Sequence, residues 1–271
     1  MAVHSLPAEA GAGVGAGAGA GAKRWRMVAR TAPPHLRPYV LGWASHRVSA
    51  TAPPPSRMLP LNAATLIIDC TGLPAVLTGP RSVASPAGEV GWYDGVAVGL
   101  TPAGMSALLG APMRELADTA VRLDGARAKE LAERLAAAPS WQGRFAVLEE
   151  VLTAWARPSD EDALIMYAWR RLQAPAEGLT VTSLAAELGV SRRYLELGFR
   201  RVVGLSPKTV ARVSRFQRAM EVLRRPGATL SAAVACGYAD QSHLSREVRA
   251  MTALTPKQLF ALVQDVDRLS A

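Results

Sequence analysis

The stretch Thr180–Val202 reads TVTSLAAELGVSRRYLELGFRRV, and its pattern is that of two short amphipathic helices joined by a tight turn. Thr180 or Thr182 can cap the first helix, and Gly189 supplies the left-handed residue that ends it. Ser191 can then cap a second helix, whose apolar face would comprise Leu195, Phe199 and Val202. Because this second helix carries arginine on its outer face, the pattern predicts a helix-turn-helix unit.

The same pattern returns about fifty residues later in Leu230–Val248, which reads LSAAVACGYADQSHLSREV. Gly237 would end the first helix of this copy, and Asp240 or Gln241 would begin the second. Ser206–Leu223 predicts a connecting helix about 27 Å long, at a rise of ~1.5 Å per residue. Successive major-groove segments lie ~34 Å apart on one face of DNA, so two recognition helices on such a connector could enter both.

Positive charge is concentrated in the same part of the chain. The protein has 271 residues with 31 Lys+Arg against 22 Asp+Glu, a net charge of +9. Residues 1–162 hold 15 basic and 14 acidic side chains, whereas residues 163–271 hold 16 and 8, so the second half carries +8 of the excess. This concentration favours a polyanion as partner, and a solvated basic helix face is the alternative.

The rest of the chain predicts an α+β protein. A Gly/Ala-rich tail at residues 1–23 is expected to be disordered. Apolar stretches between Pro and Gly then predict strands at Val40–Val48, Thr65–Cys70, Ala75–Thr78 and Trp92–Leu100. Helical periodicity follows at Thr101–Leu109, Ala126–Ala138, Gln142–Ala156 and Glu161–Gln173. We therefore predict a β-rich sensor-like or association domain with a helical coda at residues 24–157, and an all-α domain of two helix-turn-helix units joined by a long helix at residues 159–271.

Two features of the front half leave alternatives open. The helices of the coda either pack on their own sheet or pair two subunits into a homodimer, with Gln142–Ala156 as the candidate pairing helix. The aromatic side chains in the strands either pack structurally or line an apolar pocket, and they are Trp43, Trp92 and Tyr93. At the boundary of the two halves, Ser159 or Asp160 is expected to cap the next helix.

Composition excludes several classes of protein. Two cysteines, Cys70 and Cys236, cannot build a disulfide framework; both are expected in the core, with a ligand-pocket role as the alternative for Cys70. No Cys/His spacing indicates a metal, nothing indicates a cofactor, and His35 and His46 are expected at the surface. No run of ~18 strongly apolar residues indicates a membrane span. The N-terminus lacks the pattern of a secretory signal, so we expect a cytoplasmic protein.

The segment Thr180–Phe260 resembles the DNA-binding domain of the AraC/XylS-type transcription regulators. The matching elements are Ala185…Leu188-Gly189-Val190-Ser191, Leu195…Phe199, Gly204-Leu205-Ser206-Pro207, Arg215…Ala219…Leu223, Ala235…Gly237-Tyr238…Asp240-Gln241-Ser242-His243-Leu244…Arg246 and Leu254-Thr255-Pro256. The front half resembles, more loosely, the sensory domains that precede such modules, through Leu36-Arg37-Pro38-Tyr39-Val40, Leu59-Pro60, Gly79-Pro80 and Leu109-Gly110-Ala111-Pro112.

This resemblance implies roles for individual residues. In the first recognition helix, the residues expected to face bases are Arg192, Arg193 and Glu196, with Arg200 nearer the backbone. In the second, they are Gln241, Ser242, His243, Ser245 and Arg246; the expected DNA-binding set also contains Ser191 and Arg249. Phosphate contacts are expected from backbone amides at helix starts and from Ser206, Lys208 and Arg212. Departures from the family pattern are Leu197 at an often basic position, Val248 in place of Phe, and Ala253 in place of a frequent Gly.

The function that the resemblance implies is sequence-specific binding of a double-stranded DNA operator by a bacterial transcription regulator, which responds to a small-molecule effector through its front domain. The resemblance favours an activator, for which RNA polymerase would be a further partner. The alternative is a DNA-binding protein whose front domain only mediates protein association. An enzyme fused to such a module, for example a DNA-repair methyltransferase, would need an activated cysteine, and the sequence indicates no catalytic pattern.

Overall fold

The front half of the protein is built on two antiparallel sheets. A computed structural model describes residues 5–7, 24–49, 56–86, 94–158, 161–174, 179–225 and 227–270. The larger sheet has the strand order β2-β3-β8-β5-β6-β9, and the smaller has the order β1-β4-β7. The strands are β1 (Ser5–Pro7), β2 (Arg24–Arg30), β3 (Val40–Ser49), β4 (Ser56–Met58), β5 (Ala64–Asp69), β6 (Ala75–Thr78), β7 (Ser85–Pro86), β8 (Asp94–Leu100) and β9 (Ala120–Leu123).

The two faces of the larger sheet differ in composition. The pairing register places Trp43, Val98 and Leu66 in one row, and this helix-side face packs beneath two helices. The next row, Ala44, Ala97 and Ile67, therefore belongs to the opposite face, because successive side chains of a strand alternate. Small and polar residues are frequent there. We call this second face the inner face, and Met58 of the smaller sheet packs on it.

Helices follow the last central strand. A short helix, α1 (Pro102–Gly104), continues into a π-helical turn at Met105–Leu109, and two longer helices, α2 (Ala126–Ala137) and α3 (Trp141–Trp155), cover the helix-side face. On α3, Phe145 stacks on Trp43 with ring centroids 6.4 Å apart, and Leu148 and Leu152 are fully buried. The apolar stripe of α3 is therefore used in packing on its own sheet, the first of the two alternatives. Pairing of two subunits stays a prediction, but it cannot use this stripe without unpacking the core.

The second half is helical. Its helices are α4 (Ala163–Gln173), α5 (Val181–Glu187), α6 (Arg192–Val202), α7 (Pro207–Leu223), α8 (Leu230–Val234), α9 (Gln241–Thr252) and α10 (Pro256–Ser270). The α+β architecture, with a sheet region followed by a helical half, is thus as predicted. Within the part of the chain that the structure describes, no helix is long and apolar enough to cross a membrane.

The hydrophobic core runs across the predicted boundary between the halves. Ile165, Trp169 and Phe199 of the helical half share one core cluster with residues of the larger sheet. Leu59, from the connection after β4, lies fully buried in a second cluster that is otherwise built from α7 to α10. The two halves therefore pack as one body.

Several local expectations need correction. Residues 5–7, placed in a disordered tail, form β1 and pair with β4, while the Gly/Ala run itself lies outside the described residues. Asp162 caps α4 by accepting from the amides of Leu164 and Ile165; the predicted caps, Ser159 and Asp160, lie outside the described residues. His46, expected at the surface, is 2% exposed because it lies on the inner face. Of the three aromatic residues considered for a pocket, Trp43 is packed in the core, and Trp92 and Tyr93 are outside the described residues.

Candidate nucleic-acid interface

The first helix-turn-helix unit consists of α5, a short turn and α6. Thr180 caps α5 in a reciprocal capping box with Ser183. Gly189 follows with φ of 67°, a left-handed conformation that a side chain would strain. Ser191 then accepts a hydrogen bond from the amide of Tyr194 and begins α6. Each of these features arises from local sequence, which is why the unit could be predicted.

One face of α6 is fixed against the rest of the protein. Leu195, Phe199 and Val202 are buried on it, as predicted. Gly198 lies so close to α4 that an added Cβ would come within 2.3 Å of the Cδ1 atom of Ile165. This close approach leaves little freedom for α6 to rotate. Its opposite face, with Arg193 and Arg200, is therefore held towards solvent.

The connecting helix α7 begins as predicted. Ser206 accepts a hydrogen bond from the amide of Thr209, and Pro207 occupies the first helical position. At 17 residues, α7 is about 25 Å long. Its side chains at Val213 and Phe216 are buried in the core of the second unit. The connector is thus a rigid part of the second unit.

The second unit repeats the arrangement with α8 and α9. Gly237 has φ of 103°, Tyr238 is buried after the turn, and Asp240 caps α9 by accepting from the amide of His243. Leu244 and Val248 are buried on one face of α9. The outward side chains on the opposite face are Ser242, Arg246 and Arg249. The smaller Val248 fills its position without loss of the helix.

Two groups of arginines in this half differ in their partners. One group is held by carboxylates: Arg171 by Glu187, Arg201 by Asp162, and both Arg212 and Arg215 by Glu247. The other group is exposed, and no side chain or carbonyl among the described residues accepts a hydrogen bond from it. Its members are Arg192, Arg193, Arg200, Arg246 and Arg249. All five lie on α6 or α9; elsewhere in this half, Arg170 on α4 and Arg225 after α7 are exposed in the same way.

A helix-turn-helix domain is the family whose model matches this part of the chain, over residues 184–261. These residues are a helix-turn-helix domain of the AraC type. No curated protein matches the sequence. Solved structures similar to the chain include ToxT from Vibrio cholerae O395, 11% identical over 89% of this chain and 97% of that one, with a TM-score of 0.44. They also include ToxT bound to (E)-4-(8-methylnaphthalen-1-yl)but-3-enoic acid, 9% identical over 89% and 98%, with a TM-score of 0.45.

Four of the residues predicted to contact DNA already have local roles in the helix-turn-helix domain. The hydroxyls of Ser191 and Ser206 are helix caps. His243 accepts from the amide of Ala239 at its Nδ1 atom, and its ring lies edge-on to Tyr238 at 5.5 Å. Arg212 donates through Nε to Glu247 at 3.0 Å, tying α7 to α9. These bonds use only Nδ1 of His243 and Nε of Arg212, so a base or phosphate contact through the other side-chain nitrogens would leave them intact.

The remaining predicted residues of the helix-turn-helix domain lie at its surface. Arg192, Arg193, Arg200, Arg246, Arg249, Lys208, Gln241 and Ser242 are exposed, and Glu196 and Ser245 are half-buried. Leu197, which departs from the family pattern, is 57% exposed beside Arg193 and Arg200. An apolar side chain of this kind, held in solvent on a recognition helix, suits contact with the methyl group of thymine.

Sequence reasoning missed one polar contact at the edge of the helix-turn-helix domain. Tyr194 donates to the Oδ2 atom of Asp162 at 2.9 Å, and Arg201 donates to the same atom at 3.0 Å. These bonds join the first and last turns of α6 to the N-terminus of α4, which lies outside the matched residues. No local signal could reveal them, since the partners are more than thirty residues apart.

Proposed function

We propose that this protein is a sequence-specific transcriptional regulator that binds a duplex operator through α6 and α9. The observation that carries the proposal is the set of five exposed arginines without partners on these two helices. An exposed cation held on a rigid helix is available to a phosphate or to the edge of a base, whereas a cation paired with a carboxylate is not. Four other arginines of the same half are paired with carboxylates, and they are Arg171, Arg201, Arg212 and Arg215.

Roles within the interface follow from side-chain chemistry. Arg193, in the first turn of α6, and Arg246, near the middle of α9, are exposed, and arginine can donate two hydrogen bonds to guanine O6 and N7. Gln241 can read adenine, and Glu196 can accept from cytosine N4. Lys208 and the amides at the start of α7 are placed for phosphate contact. An activator would in addition contact RNA polymerase.

The proposal is tested by selecting duplexes from a random DNA library with the full-length protein. We expect one sequence family to be enriched, and its affinity to fall steeply with salt. With about six phosphates neutralised, log K should fall with log salt at a slope near −5. Failure to enrich any duplex, or an affinity independent of salt, would contradict the proposal.

A small-molecule effector is the second part of the proposal, and the inner face of the larger sheet is its candidate site. Asp69 is 2% exposed on this face, and its Oδ1 atom accepts from the amide and hydroxyl of Thr71. Its Oδ2 atom, equally buried, has no hydrogen-bond partner among the described residues. An unsatisfied buried carboxylate oxygen is costly unless a donor reaches it. A ligand with an N–H or O–H group would supply that donor.

Thermal shift measurements on the full-length protein test the effector against a metabolite panel. A ligand that binds at Asp69 should raise the melting temperature of the native protein and lose most of its effect on Asp69→Asn. Asp124→Asn, at an exposed position before α2, is the matched control and should keep the full shift. If no compound shifts the native protein, the front half is better explained as an association module.

The alternative of an enzyme that transfers an alkyl group to a thiol is not favoured. Burial raises the pKa of Cys70 to about 11 and also raises the pKa of Cys236 above its ordinary value. The thiolate is the nucleophilic form of cysteine, and both sites disfavour it. Neither thiol of the chain has the electropositive, accessible setting of a reactive cysteine.

A further inference from the structure

The front half contacts the helix-turn-helix domain at several places, including β1 and β2 against α10, and three of the contacts bear on the position of a recognition helix. The first is the segment Leu59–Ala63, which we call the docking segment because it lies against α7. The other two are single arginines of the front half, Arg57 and Arg114, which reach the ends of α9 and α6.

The docking segment is joined to the connector by buried hydrogen bonds. Asn62 donates through Nδ2 to the carbonyl oxygen of Val210 at 2.9 Å and to the hydroxyl of Ser214 at 2.8 Å. Gln217, one turn further along α7, donates to the carbonyl oxygen of Pro60. Trp169 of α4 donates to the carbonyl oxygen of Asn62 at 3.2 Å. Asn62, Ser214 and Gln217 are all buried, so these bonds hold α7 in one position relative to the sheets.

Arg57 holds the end of the second recognition helix. Its NH1 group donates to the carbonyl oxygen of Thr252, the last residue of α9, at 2.7 Å. The amide of Ala84 donates to the neighbouring carbonyl of Met251 at 2.6 Å. The last carbonyls of a helix lack partners within it and carry the negative end of its dipole, so a cation there is favourable.

Arg114 makes the equivalent contact at the end of the first recognition helix. Its NH1 group donates to the carbonyl oxygen of Arg201, in the last turn of α6, at 3.1 Å. The turn after α6 is pressed against the same segment: a Cβ at Gly204 would lie 2.9 Å from the Cα of Arg114 and from the Cβ of Ala117. Two arginines of the front half thus contact the C-terminal ends of both recognition helices.

We propose that Arg57 and Arg114 make the front half a brace that fixes the relative position of the two recognition helices, and so sets the half-site spacing that the protein accepts. The inference rests on the proposed function, since it assumes that α6 and α9 both enter DNA. Inserting one base pair between half-sites rotates them by roughly 35° and moves them ~3.4 Å apart. A braced pair of helices cannot follow this change without breaking one contact with the front half or with DNA.

The experiment uses full-length protein and the duplex recovered by selection, with zero, one or two base pairs inserted between its half-sites. The test variant is Arg57→Gln with Arg114→Gln. The matched control is Arg37→Gln with Arg157→Gln, which removes the same charge together with three arginine-to-carbonyl contacts that lie within the front half. The readout is the ratio of the affinities for the duplex with inserted base pairs and the original duplex. This ratio removes the effect that a loss of positive charge has on binding to both duplexes.

We expect native protein and control to lose affinity alike on insertion. The test variant should reduce this penalty about tenfold, the size expected when one or two hydrogen bonds from a charged group are lost. Single substitutions at Arg57 and Arg114 are measured as well, so that a folding defect in the double variant does not decide the result. Equal spacing penalties in all proteins, or equal relaxation in test and control, would overturn the inference. Failure of native protein to enrich any duplex would instead overturn the proposed function.

Discussion

Burial of His46 makes the stability of the protein depend on pH. Burial in the inner face lowers its pKa to about 4, although the carboxylates of Asp94 and Asp69 act in the opposite direction and Arg144 acts with burial. In the unfolded chain the group titrates near its ordinary value of 6.5. Between these two values the unfolded state binds a proton that the folded state does not, so stability rises with pH over this range.

We therefore expect His46 to cost the native protein stability as pH falls from about 6.5 towards 4. The loss should approach about 3 kcal/mol at the lower end, as each unit of pKa difference corresponds to ~1.4 kcal/mol. His46→Gln should show less of this acid-dependent loss than the native protein in urea unfolding at pH 7 and pH 5. His35→Gln, at an exposed histidine, should follow the native curve. Identical pH dependence in all three proteins would contradict the burial of His46.

At the level of elements, the sequence predicted those helices and strands whose ends are determined by residues close to them in the chain. Thr180, Ser191, Ser206 and Asp240 each cap the helix that the sequence indicated, since a cap bonds an amide two or three residues away. The strand Ala75–Thr78 was predicted with its observed bounds. The edge strand β9 was not predicted, because its exposed residues show no alternation and it exists through its pairing with β6.

For the candidate site, the sequence likewise predicted the local features but not the contacts between distant residues. The outward face of α6 followed from helical periodicity, and the arginines on it followed directly. The pairing of Arg212 with Glu247 could not be predicted, since these residues are 35 positions apart and meet only after α7 and α9 pack. The burial of Leu148 and Leu152 likewise depends on how α3 lies on the sheet, so the sequence left open whether their stripe pairs two subunits.

At the scale of the whole molecule, the two halves share a core and a polar interface. Leu59 of the front half is buried among the residues of α7 to α10, and Asn62 donates a hydrogen bond to α7 over a sequence separation of 148 residues. A ligand in the front half can act on DNA binding only if its affinity differs between two arrangements of this interface. The docking segment, which follows β4 directly, connects the sheets to the connector helix through these hydrogen bonds.

The central claim is that α6 and α9 each read one segment of the same duplex. Base-preference profiling of the selected duplex, with full-length protein, tests it most directly. The native protein should show two preferred segments about ten base pairs apart. Arg193→Ala should relax preference in one segment and Arg246→Ala in the other, each with a loss of about 1–3 kcal/mol. Lys208→Ala should weaken binding to all sequences about equally. Arg171 lies on α4 and is paired with Glu187, so Arg171→Ala should leave the profile unchanged. A single preferred segment, or an unchanged profile in both recognition-helix variants, would contradict the account.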